Sequence, residues 1–308
     1  MHPRGVRDPR GREAMQAMDE TVVVERGLPY GTGIVGANGD RPTERTLCAD
    51  LYRPAASGGA RPALVLAFGG AFHRGSKEDD TVREEGPRNT PIAEYCRRFA
   101  ARGHVCLSID YRLIPEDPAA GDAPVLVHRE RVPRSRLDVV RRIMGLPPAT
   151  IDMVADGIEA AAADCTAALR WVHASARHLG IDPQRIAAGG FSAGGRSMMH
   201  AVYANRVPAA AVVAISGYLG VDELYRYVTG APDEPPVLAL WGERDLDYVL
   251  EQAPALVEHA RRIGLEVEPA RIPGVGHFYP AHAPLGPGAY APTVEAAIER
   301  FLRERLAR

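Results

Sequence analysis

A serine hydroxyl is a poor nucleophile unless the backbone lifts it clear of its neighbours and a base stands ready to take its proton. The run Gly189-Gly190-Phe191-Ser192-Ala193-Gly194-Gly195 carries the spacing Gly-x-Ser-x-Gly, with small residues two positions either side of Ser192. Small residues there let neighbouring backbone pack against a sharp strand-to-helix turn, so that the serine Oγ stands exposed above it. The amide of Ala193 then points at the same place from a helix N-terminus, where partial positive charge favours an anion. The implied chemistry is attack on an acyl carbonyl. A bare Gly-x-Ser-x-Gly also arises in glycine-rich loops, so the strand before it and the helix after it are what give it weight.

The base, and the acid that orients it, are expected later in the chain in the order serine, acid, histidine. Asp245, in Gly242-Glu243-Arg244-Asp245, follows the expected strand 236–241, and His277, in Gly274-Val275-Gly276-His277, follows the expected strand 265–272. Both stand just past the carboxyl end of a strand, on the rim expected for Ser192. Of the ten histidines, His173, His178, His200 and His259 fall in helical patterns and His104 opens a strand at the far end. His128 and His282 lie in other segments, so His277 alone has the order and the place. Asp247 is the alternative acid; Asp245 is preferred for its spacing from Gly242.

A second oxyanion donor is expected from the loop Phe68-Gly69-Gly70-Ala71-Phe72-His73-Arg74-Gly75-Ser76. Its glycines allow close backbone approach, and the amides of Gly70 and Ala71 are expected to join that of Ala193 as an oxyanion hole. A phosphate-binding loop would need Gly-x-x-x-x-Gly-Lys-Ser/Thr, which this loop lacks. Arg74 and Lys77 read as a solvated loop face, and Phe72 and Phe191 as walls of an apolar substrate pocket.

The elements that must position these residues alternate between short β-branched runs and longer helical patterns, which predicts an α/β fold with a mostly parallel sheet. Strands are expected at 21–25, 45–52, 63–68, 104–109, 185–189, 211–216, 236–241 and 265–272. The near-continuous apolar runs at 63–68 and 104–109 suit strands covered on both faces. Helices are expected at 91–103, 153–179, 193–204, 222–227, 250–264 and 292–307, the longest from Val154, Ile158, Ala162, Cys165, Leu169 and Val172 at three- and four-residue intervals. Residues 114–150, about 37 of them and rich in proline, are too long for a plain connection and are expected to form a cap or lid over the carboxyl edge of the sheet.

The 308-residue chain has a net charge of −2 and a pI near 6.6, which gives no broad basic surface for nucleic acid. Cys48, Cys96, Cys106 and Cys165 form neither a Cys-x-x-Cys pair nor a zinc pattern, so no metal site is expected. Widely spaced cysteines in apolar segments read as reduced thiols, hence a cytoplasmic location. No run of 18 apolar residues and no secretory signal is found, so no membrane insertion is expected. Residues 1–20, Arg-rich and polar, are expected to be a disordered tail ahead of one domain at 21–308.

Taken together, Leu51-Tyr52-Arg53-Pro54, Gly69-Gly70-Ala71-Phe72, Asp110-Tyr111-Arg112-Leu113, Asp182-Pro183-x-Arg185-Ile186, Ser192-Ala193-Gly194-Gly195, Gly242-x-x-Asp245 and Gly276-His277 resemble the α/β-hydrolase esterases related to hormone-sensitive lipases and bacterial carboxylesterases. The resemblance runs from about Leu47 to the C-terminus. It implies the α/β-hydrolase fold with an eight-stranded, mostly parallel sheet, helices on both faces and an inserted cap. It also implies hydrolysis of small to medium acyl or aryl esters through an acyl-enzyme, with no cofactor. The chain departs from its relatives at Phe68, where they usually carry histidine, and at Ala71, where they carry a third glycine. An amidase, formamidase or peptidase using the same triad is the alternative reading, and a non-catalytic ligand-binding homologue a more distant one. The oligomeric state is not legible in the sequence.

Overall fold

The computed structural model describes residues 21–56, 58–82, 88–288 and 290–307; the tail expected at 1–20 lies outside them. Eight strands form one sheet: β1 (Val22–Val35), β2 (Thr43–Pro54), β3 (Arg61–Ala67), β4 (Val105–Ile109), β5 (Ile181–Phe191), β6 (Ala211–Ile215), β7 (Val237–Gly242) and β8 (Val267–Ile272). Their order is β1-β2-β4-β3-β5-β6-β7-β8. β2 runs antiparallel to β1 and β4, and the pairs from β4 to β8 are parallel.

The helices are α1 (Ile92–Ala101), α2 (Ser135–Ile143), α3 (Ile151–Leu179), α4 (Ala193–Met199), α5 (Val221–Tyr227), α6 (Asp247–Ile263) and α7 (Val294–Leu306). All five residues of β4, all five of β6 and all six of β7 are buried, as strands must be when helices cover both faces. α1 and α7 lie side by side, joined by Arg98 and Arg102 to Glu295. α3 starts where the Thr150 hydroxyl accepts the Met153 amide at 3.1 Å and stops at Gly180, whose φ of 72° suits glycine. α4 is prolonged by a π-helical turn, His200–Ala204.

The first strand is much longer than the expected 21–25. Gly27, Gly31, Gly33 and Pro29 break its hydrophobic alternation, and register shifts at Glu25/Leu28 and Pro29/Gly31 absorb the irregularity. In β2 the alternation through Leu47, Ala49 and Leu51 suggests a solvated side for Asp50. The structure buries Asp50 completely, where Lys77 Nζ at 2.9 Å and Arg26 Nη1 at 2.7 Å meet its carboxylate. Lys77 is therefore a buried ion-pair partner, not part of a solvated face.

Within 114–150 the structure has two short 3-10 turns (Ile114–Glu116 and Arg129–Arg131) and α2. The carboxyl ends of β3, β5, β6, β7 and β8 lie on one rim, and the loops after them carry the residues singled out above. A crevice on this rim is where open parallel sheets bind their ligands.

Candidate active site

Ser192 follows β5 and precedes α4 in a conformation that few side chains adopt, φ 52° and ψ −117°. Close packing around the turn explains the flanking glycines. A Cβ on Gly190 would stand 2.5 Å from the Ala67 carbonyl oxygen, and one on Gly194 only 2.2 Å from it. The Ser192 amide donates to Ile215 O at 2.8 Å, which ties the strained residue to β6. A strained backbone persists only where its surroundings over-determine it.

His277 Nε2 lies 2.9 Å from Ser192 Oγ, and His277 Nδ1 lies 2.6 Å from Asp245 Oδ1. A carboxylate accepts only, so the proton between them is on Nδ1 and Nε2 faces the serine as an acceptor. Asp245 is itself held: the Gly242 amide donates to Oδ2 at 3.0 Å, the Leu246 amide to Oδ1 at 2.8 Å, and Ser216 Oγ to Oδ2 at 2.6 Å. Ser216 in turn contacts the Tyr279 hydroxyl at 2.8 Å. Burial alone pushes the Asp245 carboxyl up, but the His277 contact, the Ser216 hydroxyl and the Gly242 amide outweigh it and hold it below the usual carboxylate range. Asp247, the alternative acid, is the first residue of α6 and makes no such contact.

The loop after β3 is pinned from several sides. Gly70 has φ 133°, and a Cβ there would meet the Arg74 carbonyl oxygen at 1.9 Å. Ala71 and Phe72 follow at φ 55° and 58°, unusual for residues with side chains. Asp80, fully enclosed, accepts the Gly69 amide at 2.9 Å through one oxygen and the Ile92 amide, at the start of α1, at 2.9 Å through the other. Burial pushes its carboxyl up to about 6 against the pull of those amides. Ile114 N donates to Phe72 O at 2.7 Å, and Tyr111 to Phe68 O at 2.8 Å. His73 Nδ1 donates to Ala71 O at 2.7 Å, while Arg141 of α2 donates to His73 Nε2 at 3.1 Å. Burial, with the neighbouring arginines, lowers the His73 pKa and keeps the ring neutral, which this arrangement requires. Ala193, as the first residue of α4, has an amide without an intrahelical acceptor.

Two cavities meet at Ser192. One, of about 40 Å³, is lined by Ala71, Phe72, Ala193 and Tyr248 and roofed from the 114–150 segment by Val132, Pro133, Arg136 and Leu137. The other is a narrow cleft lined by Gly70, Phe191, His277 and Phe278. Every residue expected at the site is thus brought to it: Ser192, Asp245, His277, Gly70, Ala71, Ala193, Phe72 and Phe191. Sequence reasoning missed Ser216, Tyr279, Asp80, Tyr248 and Arg196. Tyr248, three residues past Asp245, lines the cavity beside Ser192, and burial raises its pKa to about 12. Arg196, four residues past Ser192 in sequence, stands on α4, the helix that follows Ser192. Asp80 and Tyr279 carry no local signal, since contacts distant in sequence set their positions. Among the described residues no cluster of His, Cys, Asp and Glu suited to a metal ion occurs, and no helix is long and apolar enough to cross a membrane.

The model of the BD-FAE family, of esterase/lipase type, matches residues 154–213, which span most of α3, β5, the Ser192 turn and β6. No curated protein matches the chain. Among solved structures, Thermogutta terrifontis esterase 2 phosphorylated by paraoxon is similar at 22% identity and a TM-score of 0.58, over 92% of this chain and 94% of that one. The propionate-bound form of the same esterase is similar at 21% identity and a TM-score of 0.57, over 94% and 96%. The form phosphonylated by cyclosarin gives 21% and 0.58, over 92% and 95%. From sheet order to strand-turn-helix at the serine, this chain has the α/β-hydrolase fold.

Proposed function

We propose that the protein is a serine carboxylic-ester hydrolase that works through an acyl-enzyme. One observation carries the reading: Ser192 Oγ, His277 Nε2, His277 Nδ1 and Asp245 Oδ1 form a continuous chain of contacts at 2.9 and 2.6 Å, buried beneath a cavity. In the cycle, Ser192 Oγ bonds to the ester carbonyl carbon as its proton passes to His277 Nε2. The carbon–alkoxide bond then breaks, and the departing alcohol takes that proton. Water adds to the acyl-serine with the same proton relay, releasing the acid and restoring Ser192. Asp245 fixes the imidazole tautomer and stabilises the imidazolium, while the amides of Gly70, Ala71 and Ala193 serve the oxyanion, each typically worth about 10²–10³ in rate.

The two cavities divide the substrate. His277 must reach the leaving oxygen, so the alcohol belongs in the cleft with Phe191 and His277. The acyl group belongs in the cavity of about 40 Å³ beside Phe72, which favours short acyl chains. Residues 114–150 act as the cap of one domain covering 21–308, supported by the lining from Val132 to Leu137. Three buried, unpaired cysteines support a reducing compartment such as the cytoplasm.

Ser192→Ala is expected to lower kcat for p-nitrophenyl acetate and butyrate by at least about 10⁴-fold. Paraoxon or a fluorophosphonate is expected to label the wild type at Ser192, read by mass spectrometry. Hydrolysis retained in full by Ser192→Ala overturns the reading.

A further inference from the structure

The wall of the acyl-side cavity is mostly apolar, with Phe72, Leu137 and Ile158 among its residues, yet its charged lining is wholly cationic. Arg136 and Arg196 face it, and no carboxylate does among the described residues. Arg196 lies on the first turn of α4, the helix that follows Ser192, and lines the same cavity as Ser192. It is only 9% exposed. Its Nη2 donates to Glu223 Oε2 of α5 at 3.3 Å, and its Nε is buried with no acceptor among the described residues. A guanidinium presents five N–H donors and keeps its charge at working pH, so a single long contact leaves most of its capacity unmet. Gln252 of α6 stands on the same wall and is also buried. Both side chains also line an adjoining cavity of about 160 Å³, where the carboxyl residues Asp222, Glu223 and Glu251 stand, and so lie on the boundary between a cationic and an acidic chamber.

A buried guanidinium with an unmet donor, next to a reactive group, is what a site keeps for a polar part of its ligand. We propose that Arg196 and Gln252 receive a carboxylate at the far end of the acyl chain, making the substrates monoesters of short dicarboxylic acids. Ser192 and Arg196 line one small cavity, which suits a chain of succinyl or glutaryl length. Arg136 lines the same cavity. The hydrolysis itself is unchanged, with a dicarboxylate and an alcohol as products. This inference rests on Ser192 as the nucleophile and names the substrate class of that same site.

The test is a pH-stat comparison of monoethyl succinate with ethyl butyrate, which has a methyl group in place of the carboxylate. A charge-assisted contact of this kind predicts a wild-type kcat/KM about 10- to 100-fold higher for the hemiester. Arg196→Gln should shrink that ratio about tenfold or more, chiefly through KM, and Arg196→Lys should restore part of it. Labelling of Ser192 by a fluorophosphonate certifies a folded site in each variant. Because removing Arg196 leaves Glu223 buried and unpaired, a wild-type measurement stands beside the variants: succinate should compete with substrate at least about tenfold better than butyrate. A wild type that hydrolyses both esters with a ratio near one, or a ratio indifferent to Arg196→Gln, overturns this inference alone. A wild type that hydrolyses neither ester and does not label at Ser192 overturns the nucleophile assignment, and this inference with it.

Discussion

At the scale of single residues, Asp80 shows how little of a site's support need be near its chemistry. It touches no reacting group, yet its two oxygens hold the Gly69 amide and the first amide of α1, so the loop carrying Gly70 and Ala71 is fixed to a helix. Its folded pKa, raised to about 6, lies above the unfolded value of about 3.9. The folded state therefore binds the extra proton between those values, and Asp80 lowers stability as pH rises through that window. Asp80→Asn should flatten this part of the urea-midpoint against pH curve. Because an amide offers only one acceptor, the same variant should lower kcat on p-nitrophenyl acetate about tenfold with little change in KM. Asp245 has the opposite sign: its depressed pKa gives stability that is present above about pH 3.9 and lost as pH falls through the depressed value. Ser192, Asp245 and His277 were legible because each sits at a fixed spacing after a recognisable strand. Ser216 and Asp80 were not, because only the folded sheet brings β6 to β7 and residue 80 to residue 69.

At the scale of elements, α3 joins the 114–150 segment to the sheet. Gly157, in mid-helix, is there for a reason of packing: a Cβ on it would stand 2.2 Å from Ile114 Cγ1, and Ile114 is 1% exposed. Ile114 N donates to Phe72 O, so a push on Ile114 reaches the loop beside Ser192. Two effects oppose each other in Gly157→Ala. Helix propensity favours alanine by about 1 kcal/mol, while overpacking a closed core costs about 1–3 kcal/mol. Since the clash involves a β-branched, buried side chain, overpacking wins. Thermal unfolding should show net destabilisation of about 1 kcal/mol, and Gly157→Ala raising Tm would refute that balance. Helix periodicity placed α3 to within two residues because its stripe is long and Thr150 and Gly180 bound it. β1 defeated the same approach, since three glycines and a proline occupy positions where alternation would otherwise show.

At the scale of the whole molecule, the sheet's composition was readable from its apolar runs: β4, β6 and β7 are buried throughout, and such strands cannot be anything but core. The order of the strands and the buried ion pairs of Asp50 were not readable, because a pattern along one strand says nothing of its neighbour. Among the described residues the sheet ends at two open rims, β1 and β8. Open rims invite pairing with another chain. On β8, Pro269 is solvent-exposed and lacks an amide proton, with Glu268 and Arg271 on either side of the Pro269–Ala270 pair. On β1, Pro29 and the two register shifts break the row of donors and acceptors. Each rim is thus a poor template for a further strand. Pro269→Val should raise the apparent mass in light scattering as concentration increases, while the wild type stays constant; no rise in the variant would show that proline is not the guard. The irregularities that hid β1 from sequence reasoning are therefore also a defence against uncontrolled self-assembly.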